Sequence, residues 1–279
     1  MQLFTTVQEA KDIHLSLTSK TVGFIPTMGS LHDGHLALIK EAQKVCEVVI
    51  VSIFVNPTQF GPTEDFDSYP RTIDSDLKQL ETLAVDYVFT PTTTTIYPTT
   101  SMKTSISIPD ISKLYCGASR PAFFDGICAV VLRLFNIIKP THAFFGEKDY
   151  QQYKIIQHMA ADLFLDIHIQ AVPIIRQENG LALSSRNAYL SEQEQIEATC
   201  IYTALNQAVQ LYKKGETNTS TLTKAIRNFI EANSNIVIDY CAGIDHESLL
   251  EKETLMPEDR LLIAGYLNKT RLIDNMRLM

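Results

Sequence analysis

None of the five cysteines (Cys46, Cys116, Cys128, Cys200 and Cys241) belongs to a C-x-x-C pair, and their number is odd. That scatter excludes a disulfide-stapled scaffold and a thiolate zinc site. Long apolar runs are also missing. ICAVVLRLFNII, residues 127–138, is broken by Arg133 and Asn136, and it stops short of the ~18 apolar residues of a membrane helix. The leading MQLFTTVQEAKDIH has no basic stretch followed by an apolar core, so no secretory signal is expected, and the cytoplasm is the expected compartment. Positive charge is in deficit: 24 Lys and Arg face 32 Asp and Glu, a net charge of −8. Neither a nucleic-acid partner nor a membrane partner is therefore expected. A phosphate site is built locally and is not excluded. The two common nucleotide fingerprints, G-x-G-x-x-G and G-x-x-x-x-G-K-[ST], do not occur, and no internal repeat is present.

What is there suffices for a packed fold. The 279 residues are 45% hydrophobic and 20% charged, which allows one large α/β domain or two smaller ones. Short β-rich runs alternate with segments of helical period. TVGFIPT (21–27) reads as a strand, followed by a helix from about Gly34 to Cys46. EVVIVSIFV (47–55) is the near-continuous β-branched run of a strand buried on both faces. TIDSDLKQLETLA follows as a helix with Leu77, Leu80 and Ala84 on one face, then DYVFTP as a strand and TTTTIYPTTS (92–101) as a polar loop. A helix through Ile127, Val130, Val131, Leu134 and Ile138 ends before Pro140. HAFFG, DYQQYKIIQHMAADLF and IHIQAVPII then read as strand, helix and strand. Repeated β-α-β units predict a Rossmann-like, doubly wound parallel sheet, whose ligands bind beyond the carboxyl ends of the strands. The texture changes between residues 175 and 188. Ser191 with Glu194 forms a capping box opening a helix to about Lys213, a second helix lies near 220–233, and short strands lie near 236–241 and 261–273. We expect an N-terminal domain over 1–175 and a smaller α/β domain over 176–279.

Four stretches fall at or near predicted strand ends. PTMGSLHDGH (26–35) places Gly29 and Gly34, which let backbone approach a ligand, before a helix whose N-terminus favours an anion. That dipole also disfavours an imidazolium, so a histidine in the first turn tends to be neutral and to donate one N–H. For His32 and His35, residue chemistry leaves three readings open: polar residues starting a surface helix, a phosphate clamp, or metal ligands. The last needs a third ligand that no Cys or acidic residue supplies at motif spacing. FFGEKDYQQ (144–152) points Lys148 toward an anion, with Asp149 a natural N-cap; a well-capped surface helix is the plain alternative. LSSRN (183–187) offers two hydroxyls and a guanidinium to phosphate, though such loops are common. FVNPTQF (54–60) presents Asn56 and Gln59 to a small ligand, against simple turn chemistry around Pro57.

Taken together with YPRT and GLALSSRNAYLS, these stretches run in order from residue 23 to 191 and resemble the pantoate–β-alanine ligase (pantothenate synthetase) family. His32-Asp33-Gly34-His35 is similar to the HIGH-type signature of the nucleotidyltransferase superfamily. The resemblance implies ATP-dependent condensation of (R)-pantoate with β-alanine, in two steps. Pantoate would attack the α-phosphorus of ATP to give pantoyl adenylate and pyrophosphate, and β-alanine would then displace AMP to give pantothenate. It also implies a homodimer, and a C-terminal domain that closes over the site.

Carried over by position, Met28, Gly29, Ser30, Leu31, His32, Asp33, Gly34 and His35 would line the ATP site. His35 would be the catalytic proton donor and His32 would lie on the phosphates. Gly146, Glu147, Lys148 and Asp149 would hold the nucleotide, with Lys148 as the catalytic cation. Ile175 would meet the adenine side, and Leu183, Ser184, Ser185 and Arg186 would close over the phosphates. Gln59 and Gln152 would hold pantoate, Gln59 also meeting β-alanine. Mg2+ would accompany ATP, with Asp76 as its implied protein ligand. One departure stands out: Ala122-Phe123 in SRPAFFDG occupies the place of the family's usual Gly-His, with Arg120 and Asp125 retained. Two further classes remain open: a nucleotidyltransferase that stops at an adenylyl product, and a non-catalytic nucleotide binder. His35, Lys148, Ser184 and Arg186 weigh against the binder, and Gln59 and Gln152 favour the ligase over the transferase.

Overall fold

The computed structural model describes residues 1–62, 64–98 and 104–279. The chain divides into two compact units, residues 1–147 with 152–173, and residues 148–151 with 174–279. In the first, six strands are described: β1 (Gln2–Phe4), β2 (Val22–Thr27), β3 (Val48–Ile53), β4 (Tyr87–Phe89), β5 (His142–Gly146) and β6 (His168–Val172). They form one sheet in the order β1-β4-β3-β2-β5-β6, every neighbouring pair parallel. Parallel neighbours need crossovers, which α1 (Val7–Ser16), α2 (Asp33–Val45), α3 (Ile73–Thr82), α7 (Phe123–Ile138) and α8 (Tyr150–Asp162) supply. Three one-turn helices, α4 (Thr93–Ile96), α5 (Pro109–Ser112) and α6 (Cys116–Ser119), lie between β4 and α7.

The expected Rossmann-like sheet is present, and its strand order reverses between β2 and β5. At such a switch point the loops after adjacent strands diverge to opposite faces and leave a crevice at their carboxyl ends. The segment after β2 begins at Met28, and β5 ends at Gly146. What holds the sheet rigid beneath them is burial. Val48, Val49, Ile50, Val51 and Ser52 of β3 are all buried, as their β-branched run predicts. Ile25, Ile39, Val49, Val51, Leu80, Val88, Phe144 and Val172 belong to one core cluster. Each such side chain contributes about 1.5–3 kcal/mol on burial.

Three local expectations change. Ala84 lies beyond the end of α3 at φ 53, not on its apolar face; its N–H and that of Val85 close the helix by bonding Glu81 and Leu80 carbonyls. Within the expected polar loop 92–101, Thr92 caps the single turn α4, its hydroxyl accepting the Thr95 N–H at 3.2 Å; residues 99–101 lie outside the described residues. β1 and α1 have no counterpart in the sequence reading. The signal was T-x-x-E: Thr6 and Glu9 form a reciprocal capping box.

In the second unit, α9 (Glu192–Lys213) opens on the expected Ser191–Glu194 capping box, and Asn218 caps α10 (Thr219–Asn233). β7 (Val237–Ile244), β8 (Arg260–Leu267) and β9 (Thr270–Arg277) form an antiparallel sheet in that order. The region expected as strand near 261–273 is thus a hairpin. Asn268 at φ 52 makes the reversal, a backbone region that asparagine tolerates better than most residues. Leu205, Leu222, Ile226, Ile230, Leu261 and Ile263 are fully buried in its core. Among the described residues, no helix is long and apolar enough to cross a membrane.

Candidate active site

After β2 the chain turns through Gly29 (φ 81) and Ser30 (φ 51), both in the left-handed region. Space favours glycine at 29 as well: a Cβ there would stand 3.0 Å from Asp76 Oδ2 and 3.1 Å from Ile53 Cγ2, tight contacts against the anchoring carboxylate. The turn hangs from Asp76, which is only 1% exposed. Asp76 Oδ2 accepts the Ser30 N–H at 3.0 Å, and Oδ1 accepts the Leu31 N–H at 2.9 Å and the Thr72 hydroxyl at 3.1 Å. Leu31 is drawn into the core. His32 then becomes the N-cap of α2: its Nδ1 accepts the Gly34 N–H at 3.1 Å, while His35 Nδ1 faces the His32 N–H at 3.4 Å. The two rings lie 4.2 Å apart between centroids. Nδ1 of each ring thus faces a backbone N–H of the helix start, in the place of an acceptor. Helix capping and phosphate binding are therefore compatible, because capping engages one nitrogen of each two-nitrogen ring.

The β3 end is built from a different set of groups. The sequence leaves Asn56, 1% exposed, between a small ligand and turn chemistry around Pro57, and its side chain organises its own turn. Its Oδ1 accepts from the Thr58 N–H (3.3 Å), the Thr58 hydroxyl (3.0 Å) and the Tyr97 hydroxyl (2.8 Å). Its Nδ2 donates to Gln59 Oε1 at 3.1 Å and to the Gly126 carbonyl at 3.3 Å. Burial raises the Tyr97 phenol above its usual value, which keeps it protonated as a donor here. Gln59 Nε2 in turn contacts Met28 Sδ at 2.9 Å. The structure thus brings Met28, the histidine loop, Asp76 and Gln59 together, all within the first unit. Gly146 ends β5, where a Cβ would meet no atom within 4 Å, so packing does not demand a glycine there. Gln152 lies half-buried on α8.

The second unit holds most of the remaining expected residues. Glu147, Lys148 and Asp149 form a 3-10 turn leading into α8, with Lys148 Nζ 3.8 Å from Asp149 Oδ2. The Lys148 carbonyl accepts from Asn275 Nδ2 at 3.1 Å, and Asn275 Oδ1 accepts from Arg260 at 2.8 Å. Ile175 and Leu183 pair through the Leu183 N–H and Ile175 carbonyl at 3.0 Å. Ser184 caps the 3-10 turn Ser185–Tyr189, its hydroxyl accepting the Arg186 N–H at 3.3 Å. Arg176 clasps the buried Asp274 through two bonds of 2.6 and 2.9 Å and donates to the Gly180 carbonyl at 3.1 Å. Sequence reading missed Arg176, Asp274, Asn275 and Arg260. For Arg260, Asp274 and Asn275 the only signal was a charged or amide group within β8 or β9, and Arg176, in the segment after β6, had none.

One grouping of metal-binding type occurs among the described residues, and it excludes the histidine loop: Asp245, His246 and Asp259, with ligand atoms within 4.8 Å. Lys252 already serves as its cation, with Nζ 2.7 Å from Asp259 Oδ2 and 3.4 Å from Asp245 Oδ2. Backbone N–H donation from Ser248 leads the effects that hold the Asp245 carboxyl down at about 2.

Comparison with known proteins covers the whole chain. The family model for pantoate-beta-alanine ligase matches residues 2–277. A pantothenate synthetase from Fervidobacterium nodosum is 44% identical over 278 residues, 99% of each chain. One from Caldicellulosiruptor saccharolyticus is 45% identical over 271 residues, 96% of each. The crystal structure of pantothenate synthetase from Thermus thermophilus superposes with a TM-score of 0.94 at 38% identity, covering 100% of this chain and 99% of that one. A pantoate-beta-alanine ligase from Francisella tularensis, complexed with beta-gamma ATP and beta-alanine, gives 0.82 at 35% identity, covering 100% and 98%.

Proposed function

The chain belongs to the pantoate–β-alanine ligase family, and on that premise we propose that it condenses pantoate with β-alanine, using ATP as substrate, through a pantoyl-adenylate intermediate. The carrying observation is the placing of His32 and His35 side by side at the head of α2, with Nδ1 of each turned to a backbone N–H. Adenylation makes a bond between a pantoate carboxylate oxygen and the α-phosphorus and breaks the bond to pyrophosphate. The demand is for alignment and for donors where charge develops. In this reading His35 donates toward the reacting phosphate, His32 meets the phosphate chain, and the first-turn N–H groups of α2 add their dipole. Lys148 supplies the neighbouring positive charge. Gly146, Glu147 and Asp149 border the nucleotide, Ile175 the adenine side, and Leu183 to Arg186 the phosphates. Gln59 and Gln152 orient pantoate, and Gln59 also meets β-alanine. In the second step the amine of β-alanine attacks the acyl carbon, AMP leaves with the bridging oxygen, and the amine loses its proton.

Mg2+ belongs to this reading as the companion of ATP, bound through phosphate oxygens and water. Asp76 does not fit as its protein ligand, because burial and three hydrogen bonds already occupy both carboxylate oxygens. No step is routed through the ion. The reading includes a cytoplasmic homodimer, and light scattering on the purified chain tests the dimer. Incubation with pantoate, β-alanine and ATP is expected to yield pantothenate, AMP and pyrophosphate in equal amounts. ADP with phosphate in their place overturns the proposal.

A further inference from the structure

The Ala122-Phe123 departure from the family's usual pattern falls where the Gln59 turn is anchored. Ala122 stands at φ 65, in the left-handed region, where the family's usual glycine would cost nothing sterically. Directly after it, the Phe123 ring lies under the Arg120 guanidinium, 3.4 Å from Cζ to ring centroid. Glu64 grips the same guanidinium through Nε–Oε1 at 2.7 Å and NH2–Oε2 at 2.5 Å, a two-point pairing that fixes its plane. Locked between ring and carboxylate, Arg120 donates to the Gln59 carbonyl at 3.2 Å. The turn is pressed onto the same helix start from a second side. The Thr58 carbonyl approaches Gly126 so closely that a Cβ there would stand 2.2 Å away.

We propose that Arg120, held flat by Phe123 and Glu64, is the positioning residue for Gln59, and that Phe123 thereby tunes how this chain holds its acid and amine substrates. The substrate half rests on the reading that Gln59 contacts pantoate and β-alanine; the geometric half does not. An aromatic face attracts a guanidinium through its quadrupole, and phenylalanine does so at any pH. A histidine at 123 would lose that attraction on protonation and repel Arg120 instead.

Two measurements on the same variants test the two halves. Phe123→Leu keeps bulk and loses the quadrupole, Phe123→Tyr keeps both, and Arg120→Lys keeps charge and loses the fork. Hydrogen exchange of residues 55–60 is expected to quicken about tenfold in Phe123→Leu and Arg120→Lys, and to stay at the parent rate in Phe123→Tyr. Unchanged exchange in Phe123→Leu overturns the clamp, whatever the enzyme's activity. The KM for pantoate is expected to rise about 5–10-fold in Phe123→Leu, with the KM for ATP within about twofold of the parent. Phe123→His should show a pantoate KM that climbs more steeply than the parent's as pH falls below about 6.5, the parent profile already carrying the titration of His32 and His35. Should exchange quicken while both KM values move together, the clamp is merely structural and the substrate half is wrong. A parent that makes no pantothenate refutes the functional reading alone, since the exchange measurement still decides the clamp.

Discussion

Two backbone segments leave adjacent parallel strands and are anchored by opposite chemistry. The one after β2 is held by its N–H groups, which donate to the buried carboxylate of Asp76. The one after β3 is held largely by its carbonyls: Arg120 donates to Gln59, and Gly126 gives room for Thr58 to approach. In both, a residue far away in the chain shares the backbone with local side chains: Asp76 and Arg120 act beside His32 and Asn56. His32 and His35 meet the start of α2 through Nδ1, and Gln59 shares its amide with Asn56 and Met28. A left-handed turn at Gly29 and Ser30 would not persist on local preferences, because a serine at positive φ is strained. The distant carboxylate offsets that strain.

The contrast between the two anchors breaks most severely at Asp76. Asp76→Ala strands two backbone N–H groups in a buried site and is expected to cost about 2–4 kcal/mol of stability, together with most of the turnover. Urea unfolding and initial rates check both, and a variant as stable as the parent would remove Asp76 from its anchoring role. His35→Ala separates chemistry from scaffold. It should lower kcat by about a hundredfold or more while thermal unfolding stays within a few degrees of the parent, since the cap bond at His32 Nδ1 survives. Unchanged kcat removes His35 from the mechanism. Ala122→Gly relieves the left-handed alanine beside the other anchor and should stabilise by about 0.5–1 kcal/mol, seen as a small rise in Tm.

The smallest effect lies at the opposite end of the sheet and sets the background for the rest. His142 pairs in register with His168, and burial, then the neighbouring imidazole, lowers its folded value below the usual 6.5. The unfolded chain therefore binds this proton more readily. Stability from this group is fully present above about 6.5, and it is lost as pH falls through the lower folded value. His142→Gln should flatten the fall in Tm between pH 7 and 5 by under about 2 °C, and an unaltered slope would show that the pair does not contribute.

Much of this was legible in the residues. The β-branched run of β3 gave a buried central strand, the Ser191 box gave the start of α9, and PTMGSLHDGH gave a strand end running into a helix. The anchors were not legible, for a physical reason. Asp76 acts on residues 45 and 46 positions away, Arg120 on Glu64 at 56 and Arg176 on Asp274 at 98. Periodicity and turn chemistry report on neighbours a few residues apart, so an aspartate that holds a distant loop reads like any aspartate near a helix start. For the same reason Asp76 carries a metal expectation and Asn56 stands between ligand and turn, when both bond to backbone and side chains of their own scaffold.

The most direct test of the proposed chemistry follows one oxygen atom. Pantoate labelled with oxygen-18 in both carboxylate oxygens, incubated with the enzyme, ATP and β-alanine, is expected to deliver one label to AMP and keep one in the amide of pantothenate. Pantothenate formed alongside unlabelled AMP would contradict the adenylate route.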